Sequence, residues 1–144
     1  MIEYRKRQLL FEICGVIIML GFWLFMLVMV LLIPLTMVYF GNRFLHSAPS
    51  KINSTFGYRT TMSMKNSDTW KYAHSCLGKI WRICGLSLLP LSVVPLIFVF
   101  RRDVELIGTV GGIIVGLQLI PMLCSIIPVE QGLKKSFYKN GNRI

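Results

Sequence analysis

Three runs without a charged side chain divide this chain: residues 13–40, 83–100 and 106–129. Each is dense in Leu, Ile, Val and Phe, and each is long enough to cross a bilayer as a helix. The first holds 28 residues. As a helix it reaches about 42 Å against a hydrocarbon core of about 30 Å, so it must tilt, kink at Pro34 or run beyond the lipid. The second holds 18 residues and two prolines, Pro90 and Pro95. Each proline strips a helix carbonyl of its donor; in lipid that carbonyl needs a neighbouring helix, a hydroxyl such as Ser87 or Ser92, or water. The second run is therefore predicted to pack against protein on at least one side. The third carries Gly108, Gly112 and Gly116, with Gly111 beside them, a spacing that lets another helix approach closely. The approaching helix is either another span of the same chain or, in a homodimer, a second copy. Gln118 is the single amide in the three runs and is predicted to satisfy a freed carbonyl.

Between the first two runs lies a polar connector, residues 41–82. Up to about residue 66 it is rich in Asn, Ser, Thr, Gly and Pro and reads as irregular. Asn66 or Ser67 then has the character of a helix N-cap, with Asp68 well placed in the first turn. Beyond it Trp70, Ala73, Leu77, Ile80 or Trp81, and Cys84 recur at spacings of three and four, one apolar stripe on a helix. Lys71, Ser75, Lys79 and Arg82 fall largely off that stripe. This is a basic amphipathic helix suited to the headgroup level, continuing into the second span with a bend near Gly78 or Gly85. Residues 101–105 read as a tight surface turn, and residues 130–144 as a polar, basic tail. The fold class is thus an all-α integral membrane protein. It forms a single membrane domain with three transmembrane helices plus an amphipathic interfacial helix leading into the second span.

Composition agrees with the pattern. Apolar residues make up 54% and charged ones 15% of 144 residues, with a mean hydropathy of +0.62. The net charge is +10, from 16 Lys and Arg against 6 Asp and Glu. The cations flank the apolar runs, so they read as topology signals and lipid contacts; no basic motif of a nucleic-acid reader is present. Connector and tail together hold eleven, namely Arg43, Lys51, Arg59, Lys65, Lys71, Lys79, Arg82, Lys134, Lys135, Lys139 and Arg143. The start and the turn hold five: Arg5, Lys6, Arg7, Arg101 and Arg102. This asymmetry predicts a cytoplasmic connector and C-terminus and an external N-terminus. The first run is about twice as long as the core of a signal peptide, which makes it a retained anchor.

Catalytic chemistry finds little purchase. The four cysteines show neither a C-x-x-C pair nor a histidine-rich partner set, so neither a disulfide framework nor a zinc site is expected. The only histidines are His46 and His74, and the acids lie in termini, loops and span ends. With no ionisable group mid-membrane, coupled transport is disfavoured. No catalytic residue, metal or cofactor is predicted, and the chain is not read as an enzyme.

The chemically mixed stretch is residues 49–81. Gly57 reads as a turn glycine with φ above zero. Arg59 has three possible partners: a lipid phosphate, a helix C-terminus, or Glu130 of the tail in a charged hydrogen bond closing the connector over the bundle. Asn53 is expected to cap a turn, and Trp70 and Trp81 to anchor or pack. The candidate recognition or clamp set is Asn53, Gly57, Tyr58, Arg59, Thr60, Asn66, Trp70 and Glu130.

In this stretch the chain resembles the SdpI family of bacterial membrane proteins. The motif elements are Asn53; Gly57, Tyr58, Arg59 and Thr60; Ser63 and Asn66 with two residues between; Trp70; and Gly78 at the entry to the next span. Pro49, Lys51 and Asn53 form a similar lead-in. Glu130, Leu133, Phe137, Asn140 and Gly141 match the family's tail, although Tyr138 stands where an acidic residue is frequent. The first run matches only in hydropathy, so the likeness is to the family's short form. The resemblance implies a multi-pass protein of the bacterial plasma membrane. It further implies immunity to a secreted antimicrobial peptide or toxin, with possible signal transduction to a cytoplasmic transcriptional regulator. The alternative is a small membrane enzyme or lipid-handling protein using Asn53, Arg59 and Glu130 as a polar pocket.

Overall fold

The computed structural model describes residues 1–47, 52 and 57–144. Among the described residues four helices follow in order: α1 (Ile2–His46), α2 (Ser67–Phe98), α3 (Val104–Cys124) and α4 (Ile126–Ser136). Among the described residues, α1, α2 and α3 continued by α4 are long and apolar enough to cross a membrane. The protein is an all-α, multi-pass membrane protein.

α1 is the hub. Met26, Val30, Pro34, Met37, Gly41 and Phe44 are its buried positions, at spacings of three and four, and they form one stripe facing the other helices. α2 runs antiparallel along it and approaches where side chains are absent. A Cβ on Gly41 would stand 2.6 Å from the Arg82 amide nitrogen, one on Gly78 3.0 Å from the Gly41 carbonyl, and one on Gly85 2.9 Å from the Pro34 carbonyl. α2 is a single helix through Gly78 and Gly85, as expected of an amphipathic helix running on into the second span, and these two glycines form the seam on which α1 sits.

α3 lies parallel to α1. Gly108 faces Phe22, and Gly111 meets Met26 Cε. A Cβ on Gly112 or Gly116 would meet nothing beyond its own helix within 4 Å among the described residues. The four glycines therefore divide: two serve packing within the chain, and two leave an open outer face.

The prolines explain the polar contacts in the apolar region. Pro34 has no N–H for the Val30 carbonyl, and Gln118 Nε2 supplies the donor at 2.8 Å. Ser87 and Ser92 do not serve the carbonyls of Leu86 and Leu91 that Pro90 and Pro95 release. Their hydroxyls donate to Ile83 at 3.0 Å and Leu88 at 2.5 Å, each four residues back. At the far end of α2, Trp23 Nε1 donates to the Leu96 carbonyl at 2.8 Å, and its ring meets Phe100 edge-on at 5.0 Å. The chain then reverses, with Arg101 at φ 66°. Asp103 caps α3, so the turn closes before Glu105, which lies in the first turn of the helix.

α3 ends at Cys124 and α4 begins at Ile126, with Pro128 in the first turn of α4, where a missing N–H costs the helix little. The expected tail begins as helix: α4 carries Glu130 and Leu133, and only then does the chain extend. Tyr138 N–H donates to the Asn142 carbonyl at 2.8 Å, and Gly141 turns the chain at φ +90°.

Two cores result. One lies between the spans: Met26, Val30, Leu96, Ile107 and Ile114. The other lies beyond them, where the connector meets α4: Phe44, Tyr58, Ala73, Leu77, Val129, Leu133 and Phe137. From Trp23 to Gly41 is 18 residues of α1, about 27 Å along the axis and close to the thickness of hydrocarbon. Residues 3–18 of α1 are exposed and run past the α2–α3 turn. The start of the chain, expected as a short polar segment, is therefore helical.

Candidate interfacial recognition pocket

The second core owes its shape to hydroxyl and amide side chains that take the place of backbone pairing. Asn66 caps α2: its Oδ1 accepts from Asp68 and Thr69 N–H at 3.1 and 2.9 Å, and Thr69 Oγ1 accepts from Asn66 N–H at 3.1 Å. Its Nδ2 donates to the Gly141 carbonyl at 2.6 Å, tying the connector to the end of the chain. Ser63, fully buried, accepts from Thr60 N–H at 2.8 Å and lies 3.0 Å from the Tyr58 carbonyl, to which it can donate. Thr69 Oγ1 reaches the Ser63 carbonyl at 3.1 Å. Residues 58–69 are thereby a closed turn with few free polar groups.

His74 holds that turn against α2. Its Nδ1 donates to the Trp70 carbonyl at 2.8 Å, which leaves Nε2 free to accept from Tyr58 N–H at 3.0 Å. Both bonds require the neutral imidazole with its proton on Nδ1. Phe44 meets the ring edge-on at 5.0 Å, and Trp70 lies against it at 4.3 Å. Gly57, at φ +114°, passes over this ring, and a Cβ there would run into His74 Nε2. Glycine is thus required twice, by conformation and by space.

Tyr58 turns its hydroxyl toward α4, donating to Glu130 Oε1 at 3.1 Å. Burial first, and then the neighbouring Glu130 charge, raise the pKa of this phenol well above the ordinary tyrosine value. The hydroxyl stays protonated and keeps its role as donor. Tyr58 thus joins the connector to α4 at the carboxylate that was one of the three partners expected for Arg59. Arg59 itself is exposed.

Beneath residues 57–60 lies a pocket of about 420 Å³. Phe40 and Phe44 of α1 and Leu77 and Trp81 of α2 form one side. Met122, Leu123, Ser125 and Ile126 form the other. Gly57, Tyr58, Arg59 and Thr60 roof it. Trp81 Nε1 donates to Ser125 Oγ at 2.8 Å, and that hydroxyl lies 2.6 Å from the Met122 carbonyl, so the elbow between α3 and α4 is fixed to α2. Leu123 and Ile126 are exposed, which leaves that wall open toward lipid. The arrangement is an apolar cleft with a cation at its rim, suited to binding an amphiphile. Among the described residues, no three His, Cys, Asp or Glu side chains gather as a metal site.

The candidate set therefore separates. Gly57, Tyr58, Arg59 and Thr60 line the cleft, and Glu130 fixes the roof from α4. Asn66 and Trp70 stand behind it as cap and packing; Trp70 is fully buried rather than an anchor at the headgroups. Asn53 lies outside the described residues. Sequence reasoning passed over His74, whose signal was its place one turn after Trp70, beside Ala73 and Leu77 on the apolar stripe.

The SdpI/YfhL protein family matches residues 50–129, more than half of the chain's 144, from the connector's lead-in to the first turn of α4. No curated protein and no solved structure matches. The matched stretch holds the roof, its histidine strut and the cleft walls from α2 and the α3–α4 elbow, but not Phe40 and Phe44 of α1, and on that match this chain belongs to the SdpI/YfhL family.

Proposed function

We propose that this chain is an immunity or sensing protein of the bacterial plasma membrane, protecting against a secreted membrane-active peptide or toxin. The reading rests on family membership and on one observation: an apolar cleft of about 420 Å³ beneath residues 57–60 at the end of the spans. A membrane-active peptide carries apolar side chains at the depth where this cleft opens, and Arg59 adds a positive charge at its rim. Occupancy would pull on the roof, and through Tyr58 and Glu130 on α4 and the tail. That gives a route by which a cytoplasmic transcriptional regulator could sense binding, with connector and C-terminus on the cytoplasmic side and the N-terminus outside.

The test is survival. Cells lacking the gene are challenged with their own culture's secreted peptides, then complemented with wild type, Leu123→Trp to fill the cleft, or Arg59→Ala. Loss of tolerance on deletion, restored by wild type but not by a stably expressed Leu123→Trp, supports the reading. Unchanged sensitivity across the peptide panel overturns it.

The exposure of Leu123 and Ile126 favours a second reading, a lipid-handling protein or small membrane enzyme whose substrate enters sideways from the bilayer. Lipid co-purifying with wild type and absent from Leu123→Trp, together with unaltered peptide tolerance, would select it.

A further inference from the structure

A second cavity, of about 390 Å³, opens between α2 and α3 at the depth of the bilayer. It is lined by Leu91, Ser92 and Pro95 on one side and Ile113, Leu117 and Gln118 on the other. Val30, hydrogen-bonded to Gln118, lies about 10 Å along α1 from Trp23 and about 16 Å from Gly41. The cavity is thus well inside the hydrocarbon and separate from the cleft under the connector.

Its polar groups are unbalanced. Gln118 Nε2 donates to the Val30 carbonyl at 2.8 Å and to Ser92 Oγ at 2.5 Å, which uses both of its hydrogens. Ser92 in turn gives its own proton to the Leu88 carbonyl. The Val30 carbonyl can only accept, so the amide cannot be turned round. Gln118 Oε1 is consequently fixed as an acceptor, and it has no partner among the described residues although the side chain is only 1% exposed. Pro95, which also lines the cavity, offers no N–H to the Leu91 carbonyl. An acceptor left alone at this depth costs free energy that a donor from outside would recover.

We infer that this cavity is a binding site for a neutral, bilayer-dissolved amphiphile, an apolar chain or ring bearing a hydroxyl donor. The lining is otherwise apolar, and a charged donor at this depth is expensive, which selects a neutral group. The volume is that of a small-molecule site, too small to seat a transmembrane helix. The ligand's apolar body replaces lipid between α2 and α3, and its hydroxyl supplies the donor that Gln118 Oε1 lacks.

The test uses the full chain in nanodiscs with a diazirine-bearing long-chain alcohol and its methyl ether. The two probes differ only in the hydrogen-bond donor. The alcohol is expected to label peptides containing Leu91 or Leu117 about tenfold more than the ether, the ratio one net hydrogen bond supports. Leu117→Trp and Ile113→Trp, each filling the cavity without touching Gln118's bonds, should remove the excess; two variants guard against one failing to fold. Equal labelling by alcohol and ether overturns the proposal and assigns Oε1 to a water molecule. Excess labelling that survives both tryptophans in folded protein overturns it as well. Peptide tolerance is expected to be unchanged in these variants, so this result is independent of the function proposed for the connector cleft.

Discussion

At the scale of single residues, the molecule depends on groups that satisfy one another out of water. Gly57→Ala imposes a left-handed conformation on a residue with a side chain and drives its Cβ into His74. A loss of about 2 kcal/mol or more is expected, read as reduced thermal stability in detergent. Tyr58→Phe removes a donor from a carboxylate and should cost about 1–2 kcal/mol. Glu130→Gln keeps an acceptor for the phenol and should cost less than Glu130→Ala; equal losses would mean the hydrogen bond contributes nothing. Tyr58 also gives the protein an alkaline signature. Its folded pKa is raised, so its contribution is fully present below the unfolded tyrosine value of about 10 and is lost as pH rises through the folded value. Ultraviolet titration should show a late phenolate step that is absent from Tyr58→Phe.

At the scale of elements, glycine placement decides which helices touch. Gly41, Gly78 and Gly85 bring α1 and α2 to backbone distance. Gly85→Leu should separate them at a cost of about 1–3 kcal/mol and lower the yield of folded protein. Gly112→Leu and Gly116→Leu point into open space and should leave stability within about 0.5 kcal/mol of wild type. We propose these two as the contact in a homodimer. If copies pair there, the leucines abolish chemical crosslinking between copies while the monomer stays folded; persistent crosslinking would place the contact elsewhere. Sequence spacing alone showed a small-residue series on α3 without showing that its members face different ways. The α1–α2 seam was harder to see, because its glycines sit on two helices and no repeat within either one marks it.

At the scale of the whole molecule, the matter is orientation. The excess of Lys and Arg on connector and tail predicts that they face the cytoplasm. Cys76, half-buried in the connector part of α2, reports on it. An impermeant maleimide should not reach this thiol in intact cells and should label it after permeabilisation with mild denaturation. Labelling in intact cells would reverse the orientation. The same scale shows that the chain has two interiors. One is apolar and lies between the spans; the other is built from the connector, α4 and the end of the chain.

Much of this was legible without coordinates. Uncharged runs of bilayer length determine a membrane fold of three spans, because a charge-free helix has nowhere cheaper to be than lipid. The capping pattern at residues 66–69 and the stripe from Trp70 to Cys84 determine α2, since both are local. Tertiary structure decided which groups meet across long separations. Tyr58 reaches Glu130, 72 residues away, and His74 turns its acceptor nitrogen to the connector. Gln118 finds the carbonyl that Pro34 frees, 88 residues earlier, and is left with one oxygen unanswered. Spacing along one helix fixes which residues share a face, but only the packing of separate helices fixes what that face meets.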